Sequence, residues 1–229
     1  ITRSDDAAVR LTAVEAGYRG CAASALRGID LLVETGERVA VLGASGAGKS
    51  TLLALIAAEL PVRAGDLHTR PCTWLTQRTE LFQDSLRDNL RLADPDAADA
   101  QCWAALRASG LADDVQQLAH GLDTRLGEGG LGLSGGQSRR LALARLLLHP
   151  ADFWLLDEPT EGLDGPTAVD VLSRLARHAG SRTVVIATHL RREAGLADRL
   201  VLMAKGRIVA QHRRGTPAFD AALASLRHH

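Results

Sequence analysis

The sequence predicts an α/β protein with a mostly parallel sheet at its core, an antiparallel β-layer beside that sheet and an inserted helical subdomain. Three observations carry this reading. Short apolar runs rich in β-branched residues alternate with helical patterns, the stretch from Ser85 to Leu122 is helical in pattern with no strand candidate, and the first 35 residues contain apolar/polar alternation.

In chain order, Ala8 to Val14 and Ile29 to Val33 alternate as half-buried strands do and are assigned to the antiparallel layer. Arg38 to Leu42, Thr73 to Thr76, Phe153 to Asp157, Thr183 to Thr188 and Leu200 to Met203 are short enough to be buried parallel strands. Helices are expected over Lys49 to Glu59, Gly136 to Leu148 and Thr167 to His178, the first two opening after glycine-rich turns. Within the helical insertion, Asp94-Pro95 and Ser109-Gly110 are breaks. Internal repeats and sustained heptads are lacking, which removes solenoids and coiled coils.

Of 229 residues, 46% are hydrophobic and 24% charged, the composition of a soluble globular domain. Lys and Arg (27) balance Asp and Glu (27), which argues against a polyanion-coating role and against nucleic acid as a partner. Cys21, Cys72 and Cys102 fit neither a disulfide framework nor a zinc site and read as reduced cytosolic core residues. No apolar stretch approaches the roughly 20 residues that cross a bilayer, and no secretory pattern opens the chain. A start at Ile1 and an end in Arg227-His228-His229 suggest a piece excised from a longer polypeptide, with the closing histidines the beginning of a tag.

After the strand Arg38 to Leu42 comes Gly43-Ala44-Ser45-Gly46-Ala47-Gly48-Lys49-Ser50-Thr51, which fits the phosphate-binding loop pattern G-x-x-x-x-G-K-[ST]. Its glycines let backbone N–H groups turn in around phosphate oxygens, and the helix from Lys49 adds the positive end of its dipole. Lys49 is expected to reach the β- and γ-phosphates of ATP and Ser50 to offer its hydroxyl to Mg²⁺. The alternative, a flexible glycine turn, does not account for the strand and helix that flank it. Phe153-Trp154-Leu155-Leu156-Asp157-Glu158 is an apolar strand ending in two acids. Downstream of a phosphate loop, that order is the one expected of a nucleoside triphosphatase, with Asp157 at the metal and Glu158 polarising the attacking water.

Leu133-Ser134-Gly135-Gly136-Gln137 opens a helix with a serine at the N-cap and could be a simple cap. Together with the two motifs above, it resembles the signature of ABC-type ATPases, and nearly the whole chain is similar to an ABC nucleotide-binding domain. The resemblance implies a P-loop NTPase fold with a RecA-like core over 1–84 and 150–229 and a helical subdomain over about 85–149, the membrane domain lying outside this sequence. It also makes Gln77 the Q-loop glutamine at Mg²⁺ and the γ-phosphate, Glu161-Gly162-Leu163-Asp164 the D-loop, and His189 the switch histidine. Alone, Gln77 reads equally as a polar strand-end residue and His189 as a helix cap. Tyr18 stands where such domains stack an aromatic on adenine, the alternative being a core-packing role. The implied assembly is a head-to-tail dimer in which Ser134, Gly135, Gly136 and Gln137 complete the partner's γ-phosphate cage, so a lone chain binds ATP but hydrolyses it slowly.

Gln77 to Leu90 is similar to the Q-loop stretch of ABC exporters, and Asp123-Thr124-Arg125-Leu126-Gly127-Glu128-Gly129-Gly130 to their X-loop, although both also read as solvated loops. Glu161-Gly162 replaces the more usual Ser-Ala. This resembles the CydC half of the CydDC heterodimeric exporters, which implies a CydD-like partner, export of cysteine and glutathione in support of cytochrome bd assembly, and a place on the cytoplasmic face of the inner membrane. Another ABC exporter of lipids, peptides or drugs, or a regulatory ABC subunit with little turnover, stays open as an alternative. DNA-repair ATPases would need a long coiled coil where Ser85 to Leu122 stands, and translation-factor types would carry two such cassettes.

Overall fold

The computed structural model describes residues 6–21, 23–130 and 132–227. In chain order its elements are β1 (Ala7–Ala16), β2 (Leu26–Glu34), β3 (Arg38–Leu42), α1 (Lys49–Ile56), β4 (Val62–Thr69), β5 (Thr73–Leu75), α2 (Leu86–Arg91), α3 (Asp99–Ala108), α4 (Ala112–Gln116), α5 (Gly135–Leu148), β6 (Phe153–Asp157), α6 (Gly165–Ala179), β7 (Thr183–Thr188), α7 (Arg191–Ala194), β8 (Arg199–Ala204), β9 (Arg207–Arg213) and α8 (Pro217–Ala224). They form two compact units. One comprises the chain up to Trp74, Asp152–Glu158 and everything from Ser181, and the other Leu75–Ala151 with Pro159–Gly180.

The first unit holds an antiparallel sheet in the order β2-β1-β4 and a six-stranded sheet in the order β5-β6-β7-β3-β8-β9. In the larger sheet β6, β7, β3 and β8 run parallel, and β9 returns antiparallel along β8. Alternation along β3 shows how the layers are glued. Val39 and Val41 join Leu52, Leu53, Leu55 and Ile56 of α1 and the inward residues of β1 and β2 in one core, while Ala40 and Leu42 face Ala194, Leu200 and Phe219 on the other side.

The helix α1 stops at Ile56 rather than Glu59 because Ala58 takes a left-handed backbone (φ 60°) and Glu59 N–H turns back to Ala54 C=O at 2.9 Å. The strands β4 and β9 lie at sheet edges and mix exposed polar positions with few apolar ones, so no apolar run marks them. One expectation is corrected: of the three cysteines only Cys102 is buried. Cys72 is half-buried and Cys21 exposed.

The second unit packs α2, α3, α4 and α5 around Leu86, Leu90, Leu106, Leu111, Val115, Leu141 and Ala144. Its loops are tied together by backbone pairing: Leu86 N–H donates to Thr124 C=O (3.0 Å) and Leu126 N–H to Asp84 C=O (3.0 Å). Fully buried Asn89 staples the same loop, accepting from Phe82 N–H and donating to the Phe82 and Ser85 carbonyls, each at 3.0 Å. Among the described residues no helix is long and apolar enough to cross a membrane.

Candidate nucleotide site

Three strand ends meet at the carboxyl edge of the parallel sheet. The register pairs Leu42 of β3 with Thr188 of β7, and Ala187 of β7 with Asp157 of β6. The chain therefore enters Gly43, His189 and Glu158 at one edge, the place where open α/β sheets bind ligands.

Gly43 starts the phosphate loop under a close contact, since a Cβ there would lie 2.5 Å from Met203 O and 2.8 Å from Ala47 Cβ. Gly48 is the N-cap of α1 in a left-handed conformation (φ 105°) that side chains rarely adopt. No side chain caps α1, and no acid stands in its first turn, so its amides and dipole are left to an anion. Ala47 is buried beneath the loop, whereas Ser45, Gly46 and Ser50 are exposed. Lys49 is only 8% exposed, and its Nζ donates to the carbonyls of Gly43 (2.9 Å) and Ala44 (3.2 Å), lying along the loop whose cargo it would neutralise.

Tyr18 is not a core residue. It is 51% exposed, its hydroxyl is 3.3 Å from Thr51 Oγ1, and with Arg19, Ala58, Glu59, Leu60 and Pro61 it lines a cavity of about 320 Å³.

Across the sheet edge, Asp157 ends β6 at 2% exposure, and Glu158 turns out of the strand with φ 47° while its N–H donates to Ala187 C=O (2.9 Å). Its Oε1 lies 2.9 Å from His189 Nδ1, so His189 does not cap a helix but faces the acid. The pair shares one hydrogen bond through Nδ1, which leaves Nε2 as the ring nitrogen not engaged with Glu158.

Sequence reasoning missed what holds His189 in place. Thr188 and Glu193 are fully buried, Thr188 Oγ1 donates to Glu193 Oε2, and the same hydroxyl accepts Leu190 N–H at 2.9 Å. A threonine ending an apolar strand and a lone glutamate in a short helix give no signal of meeting.

In the second unit, Ser134 caps α5 in a reciprocal capping box: Gln137 N–H donates to Ser134 Oγ (3.2 Å) and Ser134 N–H to Gln137 Oε1 (2.9 Å). Gln137 Nε2 donates on to Asp114 (2.8 Å), which also takes Arg140 (2.9 Å). Burial is the largest influence on Asp114 and pushes its carboxyl up, but the Gln137 and Arg140 hydrogen bonds, the Arg140 charge and a backbone hydrogen bond bring it below the ordinary range. Asp164 caps α6, accepting Thr167 N–H (3.0 Å) and Thr167 Oγ1–H (2.7 Å), and those bonds hold its carboxyl low. Leu163 packs beside the start of α5, its Cδ2 3.4 Å from where a Cβ on Gly136 would sit. Gly135 is exposed, as is Gln77, which stands two residues beyond β5 with its carbonyl accepting from Arg139 (3.2 Å).

The ABC transporter family profile matches residues 26–161, spanning the phosphate loop, the signature and the acidic strand end. The chain belongs to the ABC transporter family. It is 39% identical over 91% of its length to the glutathione/L-cysteine transport system ATP-binding/permease protein CydC of Escherichia coli K12, of which it spans 38%. It is 36% identical over 84% of its length to the mycobactin import ATP-binding/permease protein IrtB of Mycobacterium tuberculosis H37Rv, covering 36% of that protein. A bacterial Atm1-family ABC exporter solved with ATP bound superimposes with a TM-score of 0.87 at 29% identity, over 96% of this chain and 43% of that one. The chain thus corresponds to the ATP-binding part of ABC transporters, and it spans well under half the length of the relatives it matches.

Proposed function

We propose that this domain hydrolyses Mg²⁺-ATP to drive export by a CydDC-type transporter of cysteine or glutathione, at the cytoplasmic face of the membrane and as one half of a heterodimer. The observation that carries the catalytic part is the Glu158–His189 pair at the same sheet edge as the phosphate loop. The similarity to CydC carries the substrate class.

In this reading Tyr18 stacks on adenine, and Ser45, Gly46, Ala47, Gly48, Lys49, Ser50 and Thr51 cradle the phosphates. The donor set suits Mg²⁺: a hydroxyl at Ser50 and a carboxylate at Asp157 are hard oxygens, few enough that phosphate and water fill the other positions. Bound there, the ion would neutralise charge developing on the phosphates. Glu158 takes the proton of the attacking water, and His189 orients that carboxylate and meets the γ-phosphate through Nε2. Ser134, Gly135, Gly136 and Gln137 serve the partner subunit's nucleotide, and Asp164 stands beside them at the interface. The paired loops around Asp84 and Arg125 are the surface offered to the membrane domain.

The test is ATP-dependent uptake of labelled glutathione and cysteine into inside-out vesicles carrying the full-length protein and its partner. Uptake lost with Glu158→Gln supports the proposal; uptake of neither thiol, with ATP still hydrolysed, assigns the domain to a transporter of another substrate.

A further inference from the structure

Arg139 lies in the first turns of α5 and is 3% exposed, while Arg140 and Arg145 on the same helix stay partly exposed. A buried guanidinium is tolerated only when its N–H groups are satisfied. Three of the Arg139 hydrogen bonds go to backbone: NH1 donates to Thr76 C=O (2.7 Å) and Gln77 C=O (3.2 Å), and Nε to Pro159 C=O (3.3 Å). These acceptors belong to two segments far apart in sequence. One carries Gln77; the other follows directly on Glu158. Each lies within two residues of a point where the chain passes into the second unit, after Trp74 and after Glu158. A rigid planar fork that stays charged can hold two strands of backbone in fixed relation, which a flexible ammonium does less well.

We propose that Arg139 is a positioning residue for ATP hydrolysis. It fastens the backbone of Gln77 and the exit of Glu158 to the signature helix, three residues after Gly136, so that these segments move together when a nucleotide engages Ser134. The inference rests on the roles given above to Glu158 and Gln77 and adds the side chain that ties the Gln77 backbone to the residue following Glu158.

The test compares wild type, Arg139→Ala and Arg139→Lys in three measurements: ATP affinity, Mg²⁺-ATP turnover at saturating nucleotide, and amide hydrogen exchange. Misplacing a reacting group by about 1 Å costs on the order of 100-fold in rate. Arg139→Ala is therefore expected to bind ATP as wild type does, to lose kcat on that order with KM unchanged, and to exchange faster over 76–80 and 160–164 together while α5 keeps its protection. Arg139→Lys restores part of both effects. Faster exchange in one segment or neither, an undiminished kcat, or loss of protection throughout α5 would each overturn the proposal. If wild type neither binds nor hydrolyses ATP, the proposed function fails on its own account, and the exchange data still decide the clamp.

Discussion

His189 Nδ1 sits 2.9 Å from Glu158 Oε1 although 31 residues separate them. The contact exists because β6 and β7 are parallel neighbours and Glu158 leaves β6 in a left-handed conformation, with its amide held by Ala187. Residues that act as a unit give non-additive losses. His189→Ala should lower kcat by about 100-fold, and the double variant His189→Ala/Glu158→Gln should be no slower than Glu158→Gln alone, general-base removal itself costing on the order of 10²–10⁴. Single-turnover hydrolysis of the three variants checks this, and multiplicative losses would separate the two roles.

Gly43→Ala pushes a methyl against Met203 O and Ala47 Cβ. Relieving that clash must shift β8 or the phosphate loop, a cost of about 1–3 kcal/mol in an overpacked site. Thermal unfolding should show the loss, and ATP titration should show weakened binding beyond what stability explains.

Thr188→Val keeps the shape of a buried strand end but removes the hydroxyl between Leu190 N–H and Glu193. Removing a hydrogen-bond partner from buried polar groups costs about 1–3 kcal/mol. Denaturant unfolding should register that amount. Turnover should fall as well, because His189 is the residue between the two anchored positions.

Asp114 has a carboxyl held below its ordinary value of about 3.9. A group with a depressed folded pKa contributes stability that is present above the unfolded pKa and lost as pH falls through the folded one. Asp114→Asn should therefore melt below wild type at pH 7, and the gap should close as pH drops below about 4. Melting temperatures across that range test it; a gap independent of pH would mean that the charge of Asp114 contributes nothing.

Much of this was legible in the sequence because the decisive signals are local. Arg38–Leu42, Phe153–Asp157 and Thr183–Thr188 were read with their observed bounds, since a buried parallel strand is a short apolar run with punctuated ends. The edge strands β4 and β9 and the helix α8 escaped, because exposed faces leave no apolar run to find. In the site, the phosphate loop and the acids were marked by motif. Thr188, Glu193, Asn89, Asp114 and Arg139 were not, for their partners are distant or are backbone carbonyls. An arginine after a serine on a helix reads as solvated until the fold places Thr76 and Pro159 beside it.

The most direct measurement is steady-state Mg²⁺-ATP hydrolysis over a dilution series of the domain together with its partner, wild type against Glu158→Gln. Specific activity should rise with protein concentration, as a head-to-tail dimer requires, and be lost in Glu158→Gln while ATP is still bound. A rate per molecule independent of dilution and unchanged by Glu158→Gln would contradict both expectations.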